Sequence, residues 1–106
     1  MGMILVQVMC RGAGEGEEIG RGLLEARLVA CASVGPAWRS SYWWRGKIES
    51  GEEVMLLLKT SRERFGEVEA AVRKMHSYET PEIVAIEVVE GSADYLRWVE
   101  GEVEKR

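Results

Sequence analysis

The run "VMLLL", Val54–Leu58, decides how this chain is read. It lies inside "EVMLLLK", Glu53–Lys59, which reads as a β-strand. Successive strand side chains point to opposite faces. A strand without alternation is therefore apolar on both. "ILV", Ile4–Val6, and "IVAI", Ile83–Ile86, repeat the feature. At roughly 25 cal/mol per Å² of apolar surface, several wet Leu and Ile side chains forgo a large stabilisation. These strands call for cover on both faces of their sheet, and an apolar face left over marks an interface. An oligomer built sheet against sheet is the expectation.

Working outward, Met3–Cys10, "MILVQVMC", is a first strand. "RGAGEGEE" follows as a Gly-rich turn ending in acids that suit a helix N-terminus. Ile19, Leu23, Ala26 and Ala30 then recur at helical spacing over Glu17–Val29. "ACASVGPAWRSSYWW", Ala30–Trp44, returns to extended structure with a bend or bulge at Pro36. Arg45-Gly46 takes the position of a two-residue hairpin turn before "KIES". Downstream of the apolar run, Thr60 and Glu63 have capping-box spacing. The helix behind them carries a stripe of Phe65, Val68, Val72 and Met75, with Glu69 and Arg73 paired on the opposite side. "HSYETPE" ends it at Pro81, and Ile83–Val89 is the next strand. Ser92 caps a last helix through Tyr95, Leu96 and Val99, and "GEVEKR" is an expected frayed tail.

The order β-α-β-β-α-β plus a terminal helix is the ferredoxin-like plan. The expected fold is α+β: an antiparallel sheet with two helices on one face and a C-terminal helix, in a single domain over residues 1–106. Adjacent Trp43 and Trp44 must then face opposite ways. One ring is expected to pack within its own chain, and the other in an interface or the wall of a cleft between subunits.

With a net charge of −4 in 106 residues, nothing calls for nucleic acid or an anionic membrane as partner. No apolar run reaches the ~20 residues that span a bilayer. "MILVQV" reads as a strand, not a signal peptide, so the expected compartment is the cytoplasm, with Cys10 and Cys31 reduced. Few amides and many ionic residues point to a thermostable protein.

No Ser-His-Asp set can be built, and the acids are too many to single out a catalytic pair. The Gly-rich turn lacks the third dinucleotide glycine, carries Glu15, Glu17 and Glu18, and reads as flexible, not phosphate-binding. Cys10 ends a strand and Cys31 opens one; both suit a core. His76, the only imidazole, stands where a helix C-terminus favours a cation. Its other reading is a metal ligand. Thiolate with imidazole suits copper or zinc, and Glu79 or Glu82 could add oxygen.

Three segments together resemble the CutA divalent-cation-tolerance family: "LLEARLVACASVGP" (Leu23–Pro36), "SSYWWRGKIESGEEVMLLLKTSRER" (Ser40–Arg64) and "HSYETPEIVAIEVVEGSADYLRWV" (His76–Val99). The resemblance spans nearly the whole chain. It implies a homotrimer whose sheets pack around a threefold axis, an architecture similar to the PII signalling proteins. It also implies a link to copper or other divalent cation tolerance, with no established catalysis. By position, Cys10 and His76 match residues discussed as metal ligands in some members, and Cys31 matches a recurring Ala-Cys. "CRGAG" departs from the family's Thr-x-Pro type stretch, and His76-Ser77-Tyr78 from its commoner His-Pro-Tyr.

Two functions are therefore expected in competition. One is a cytoplasmic trimer binding Cu²⁺ or another divalent cation through Cys10 and His76, with Glu79 and Glu82 as auxiliaries and no organic cofactor. The other is a PII-like adaptor with intersubunit clefts lined by Tyr42, Trp44, Lys59, Tyr78, Glu82 and Tyr95, open to a small molecule or a protein partner. An acylphosphatase-like hydrolase is disfavoured by the acidic loop and the lack of Asn.

Overall fold

The computed structural model describes residues 2–105. Four strands, β1 (Met3–Cys10), β2 (Cys31–Trp44), β3 (Lys47–Ser61) and β4 (Ile83–Glu87), form one sheet in the order β2-β3-β1-β4. Every pairing is antiparallel. Helices α1 (Ala13–Glu25) and α2 (Phe65–Met75) cover one face. A third helix, α3 (Ala93–Val103), follows β4. This is the expected split βαββαβ plan.

The core follows the strand period of two. Ile4, Val6, Val8 and Cys10 of β1 and Leu56 and Leu58 of β3 meet Ile19 and Leu23 of α1 and Val68 and Val72 of α2. The alternate residues Leu5, Met55 and Leu57 are only half-buried, and Val84 and Ile86 are exposed. So the face turned away from α1 and α2 carries apolar side chains that stay partly open, among them Val84 and Ile86, while α3 lies against β3 and β1 with Val99 and Val103 buried. No helix among the described residues is long and apolar enough to cross a membrane.

The hairpin turn forms at Arg45-Gly46, both with positive φ (53° and 81°), the geometry that suits a two-residue loop between twisted strands. The bulge lies between Val34 and Ala37. Beyond it, β2 and β3 run past the helices as a projecting ribbon. Trp44 pairs with Lys47 and Trp43 with Ile48 across it. Trp44 is on the same side as the partly open sheet face and Trp43 on the other; they are 39% and 72% exposed. Neither ring is buried within the chain.

Five expectations need correction. First, α1 begins at Ala13, so "GAGEG" supplies the first helical turn and is not a flexible loop; Ala26 is the exposed C-cap, and Val29 is buried beyond the helix. Second, the apolar strand is longer than Glu53–Lys59, because the ribbon strand and the core strand are one element. Third, Thr60 is its buried penultimate residue; its hydroxyl donates to Leu28 O at 2.7 Å and caps no helix. Fourth, β4 ends at Glu87, before the expected Val89. Fifth, the tail does not fray from Gly101: Val103 is buried and Arg64 Nε donates to its carbonyl at 2.7 Å.

Glycine contacts set the approach of α1 to the sheet. A Cβ on Gly20 would stand 2.9 Å from Ala32 Cβ and 3.3 Å from Leu56 Cδ1, whereas one on Gly14 meets open space. The same substitution should therefore act with opposite signs. In urea unfolding, Gly14→Ala is expected to raise stability by about 0.5–1 kcal/mol and Gly20→Ala to lower it by about 1–3 kcal/mol. Equal effects would contradict the close helix–sheet contact.

Candidate metal centre and adjoining groove

The end of β1 and the end of α2 meet the first turn of α1. Cys10 points into the core, as its strand register requires. His76, the C-cap of α2, turns its ring back toward β1. Its Nε2 donates to Met9 O at 2.8 Å, and its Nδ1 accepts from Tyr78 N at 3.1 Å. Those two partners fix a neutral ring with the proton on Nε2 and a lone pair on Nδ1. The His76 side chain is 0% exposed. It therefore does not serve as a solvated helix-end cation.

Glu15 completes the cluster. Its carboxylate is 3% exposed and lies 3.8 Å from His76 Nδ1. Arg11 N donates to Oε1 at 2.9 Å and Ser77 N to Oε2 at 2.8 Å, with Arg11 Nη1 at 3.4 Å. Burial alone would raise the Glu15 carboxyl, but these N–H bonds more than offset it and hold it below the ordinary value. The Cys10 thiol goes the other way. Burial, then the charges of Glu15 and Glu53, push it up to about 11.

One ligand atom each from Cys10, Glu15 and His76 lie within 4.8 Å of one another, all three side chains buried. Sulfur, imidazole nitrogen and carboxylate oxygen form a donor set for a soft or borderline divalent cation. The imidazole is oriented as in metal sites, where the free ring N–H is given to a carbonyl and the other nitrogen faces the ion. The donor set fits such a cation.

Glu79 and Glu82 are not in this cluster. Glu79 pairs with Arg45 at 3.1 Å on the hairpin turn, and Glu82 accepts from Gln7 Nε2 at 2.8 Å. Both line an open groove of about 620 Å³ with Tyr42, Trp44, Glu53 and Tyr78. Burial and the neighbouring Glu53 push the Tyr78 phenol up to about 12. Of the other residues read as lining a cleft, Lys59 lies 3.8 Å from Cys31 Sγ and Tyr95 packs on Trp98 at 5.6 Å between ring centroids; neither lines the groove. Sequence reading missed Glu15 because its turn was taken for a loop. Its signal was a lone acid between two glycines. The second of these, Gly16, lies against Val34 and Cys10.

Fold and site together define a class: a ferredoxin-like α+β protein with a buried sulfur–nitrogen–oxygen cluster where its first strand ends. The family described as CutA1 divalent ion tolerance protein matches residues 4–102, and the chain belongs to it. The divalent-cation tolerance protein CutA of Archaeoglobus fulgidus is 43% identical over 90 residues, covering 85% of this chain and 87% of that protein. Its namesake in Pyrococcus horikoshii is 36% identical over 103 residues, covering 97% and 100%. The solved structure of the periplasmic divalent cation tolerance protein CutA from Archaeoglobus fulgidus superposes with a TM-score of 0.93 at 37% identity, over 96% of this chain and 99% of that one.

Because the Glu15 pKa is depressed on folding, the stability it contributes is present above its ordinary value of 4.5 and lost as pH falls through the folded value. Glu15→Gln should thus lower the urea midpoint at pH 7, with the gap to wild type narrowing below about pH 4. A gap constant from pH 7 to pH 3 would contradict an ionised, bonded carboxylate.

Proposed function

We propose that this protein is a cytoplasmic homotrimer that captures a soft divalent cation, Cu²⁺ foremost, through Cys10, Glu15 and His76, and serves divalent-cation tolerance without a catalytic step. The convergence of three donor atoms within 4.8 Å carries this reading. The names of its relatives support the link to cation tolerance. Glu79 and Glu82, first read as auxiliary ligands, are reassigned to the groove. The partly open apolar face with Leu5, Leu57, Val84 and Ile86 supports assembly sheet against sheet, and the unpaired thiols Cys10 and Cys31 support a reducing compartment.

Cation capture replaces the thiol proton of Cys10 and uses the Nδ1 lone pair of His76, while Glu15 is already ionised. The chain's own work is to orient the imidazole through Met9 O and to exclude water from the donors. A second reading is a PII-like adaptor that takes a small molecule in the groove of Tyr42, Trp44, Tyr78 and Glu82. Its support is the concave shape and aromatic wall of that groove.

Titration calorimetry with Cu²⁺ and with Zn²⁺ should show one cation per chain, and Cys10→Ser should weaken it by at least about tenfold. Sedimentation should give a trimer at micromolar concentration. Unchanged affinity in Cys10→Ser would remove the cluster assignment. A stable monomer would remove the assembly. A thermal shift with metabolites but none with cations would favour the adaptor.

A further inference from the structure

The bonds that hold the cluster closed also hold the wall of the groove. Tyr78 is both a groove residue and the residue whose backbone N–H donates to His76 Nδ1. Its ring lies against the His76 ring, with centroids 4.7 Å apart. Ser77, between them, is tied to Glu15 Oε2.

The two ties differ in what a cation would do to them. A neutral imidazole has a single lone pair, here on Nδ1, and it cannot accept the Tyr78 N–H and ligate an ion together. A carboxylate oxygen has two lone pairs, so Glu15 Oε2 can ligate and still accept from Ser77. The second ring nitrogen offers no escape, because Nε2–H is bonded to Met9 O.

We propose that cation capture at Cys10, Glu15 and His76 releases the Tyr78 amide while leaving the Ser77 amide bonded, and so shifts Tyr78 in the groove it shares with Trp44 and Glu53. This rests on the cation reading above. The groove then takes a different shape with and without the ion. A buried cation centre with no surface of its own gains a readable surface.

The test is amide exchange by NMR on the full chain, without and with saturating Zn²⁺, which is diamagnetic and does not oxidise thiols. With Zn²⁺, the Tyr78 amide should exchange at least about tenfold faster, while Ser77 and the β1 amide of Val6 stay unchanged. The Trp44 indole N–H resonance should move in the same titration. Cys10→Ser should need at least about tenfold more Zn²⁺ for both changes. If calorimetry registers Zn²⁺ binding and Tyr78 exchange is unaltered, the coupling is wrong and the cation site stands. Loss of protection at Ser77 as well as Tyr78 would also overturn it, since the whole turn would then be opening. Absence of any Zn²⁺ binding removes both.

Discussion

A carboxylate buried to 3% exposure has to be bonded, and the bonds of Glu15 organise everything around the end of β1. They tie the chain just after β1, through the Arg11 amide, to the chain just after α2, through the Ser77 amide. Those ties bring His76 against the strand, and His76 brings Tyr78 to the groove. An α-helix beginning four residues earlier than its periodicity suggests is what delivers Glu15 to this position. Gly16, where a Cβ would stand 3.3 Å from Val34 Cγ1, lets the first turn of that helix lie close to the sheet.

The other governing constraint is a sheet with apolar residues on two faces, of which α1 and α2 close one. The helical face closes within the chain around Val6, Val8, Leu56 and Leu58, all fully buried. The second face carries two different surfaces. Near β4 it is aliphatic, with Leu5, Leu57, Val84 and Ile86. Toward the ribbon it becomes aromatic and acidic, with Tyr42, Trp44, Glu49 and Glu53. The first is suited to burial against another copy and the second to a polar ligand. Together they give one small sheet two chemically distinct surfaces.

The plan of the fold was legible because it rests on period: strands apolar without alternation, helices with stripes at three and four. The hairpin turn and the bulge were legible from Arg45-Gly46 and Pro36. What failed was local propensity overridden by packing. Gly14 and Gly16 read as a turn, yet both lie in the first turn of α1, with Gly16 close against Val34. Thr60 and Glu63 read as a capping box, yet the strand runs on and the hydroxyl finds Leu28 O instead. At the site, Cys10 and His76 were legible as residue types, but their meeting was not, since it depends on how α2 docks. Glu79 and Glu82 were drawn to His76 by nearness in sequence. Their partners, Arg45 and Gln7, place them on the groove.

The central claim is that one chain's sulfur, imidazole and carboxylate act as a single donor set. X-ray absorption at the zinc edge of the Zn²⁺-loaded protein tests it most directly. The account predicts one sulfur at about 2.3 Å with nitrogen and oxygen scatterers near 2.0–2.2 Å, and loss of the sulfur shell in Cys10→Ser. A first shell of oxygen and nitrogen alone in the wild type would contradict it.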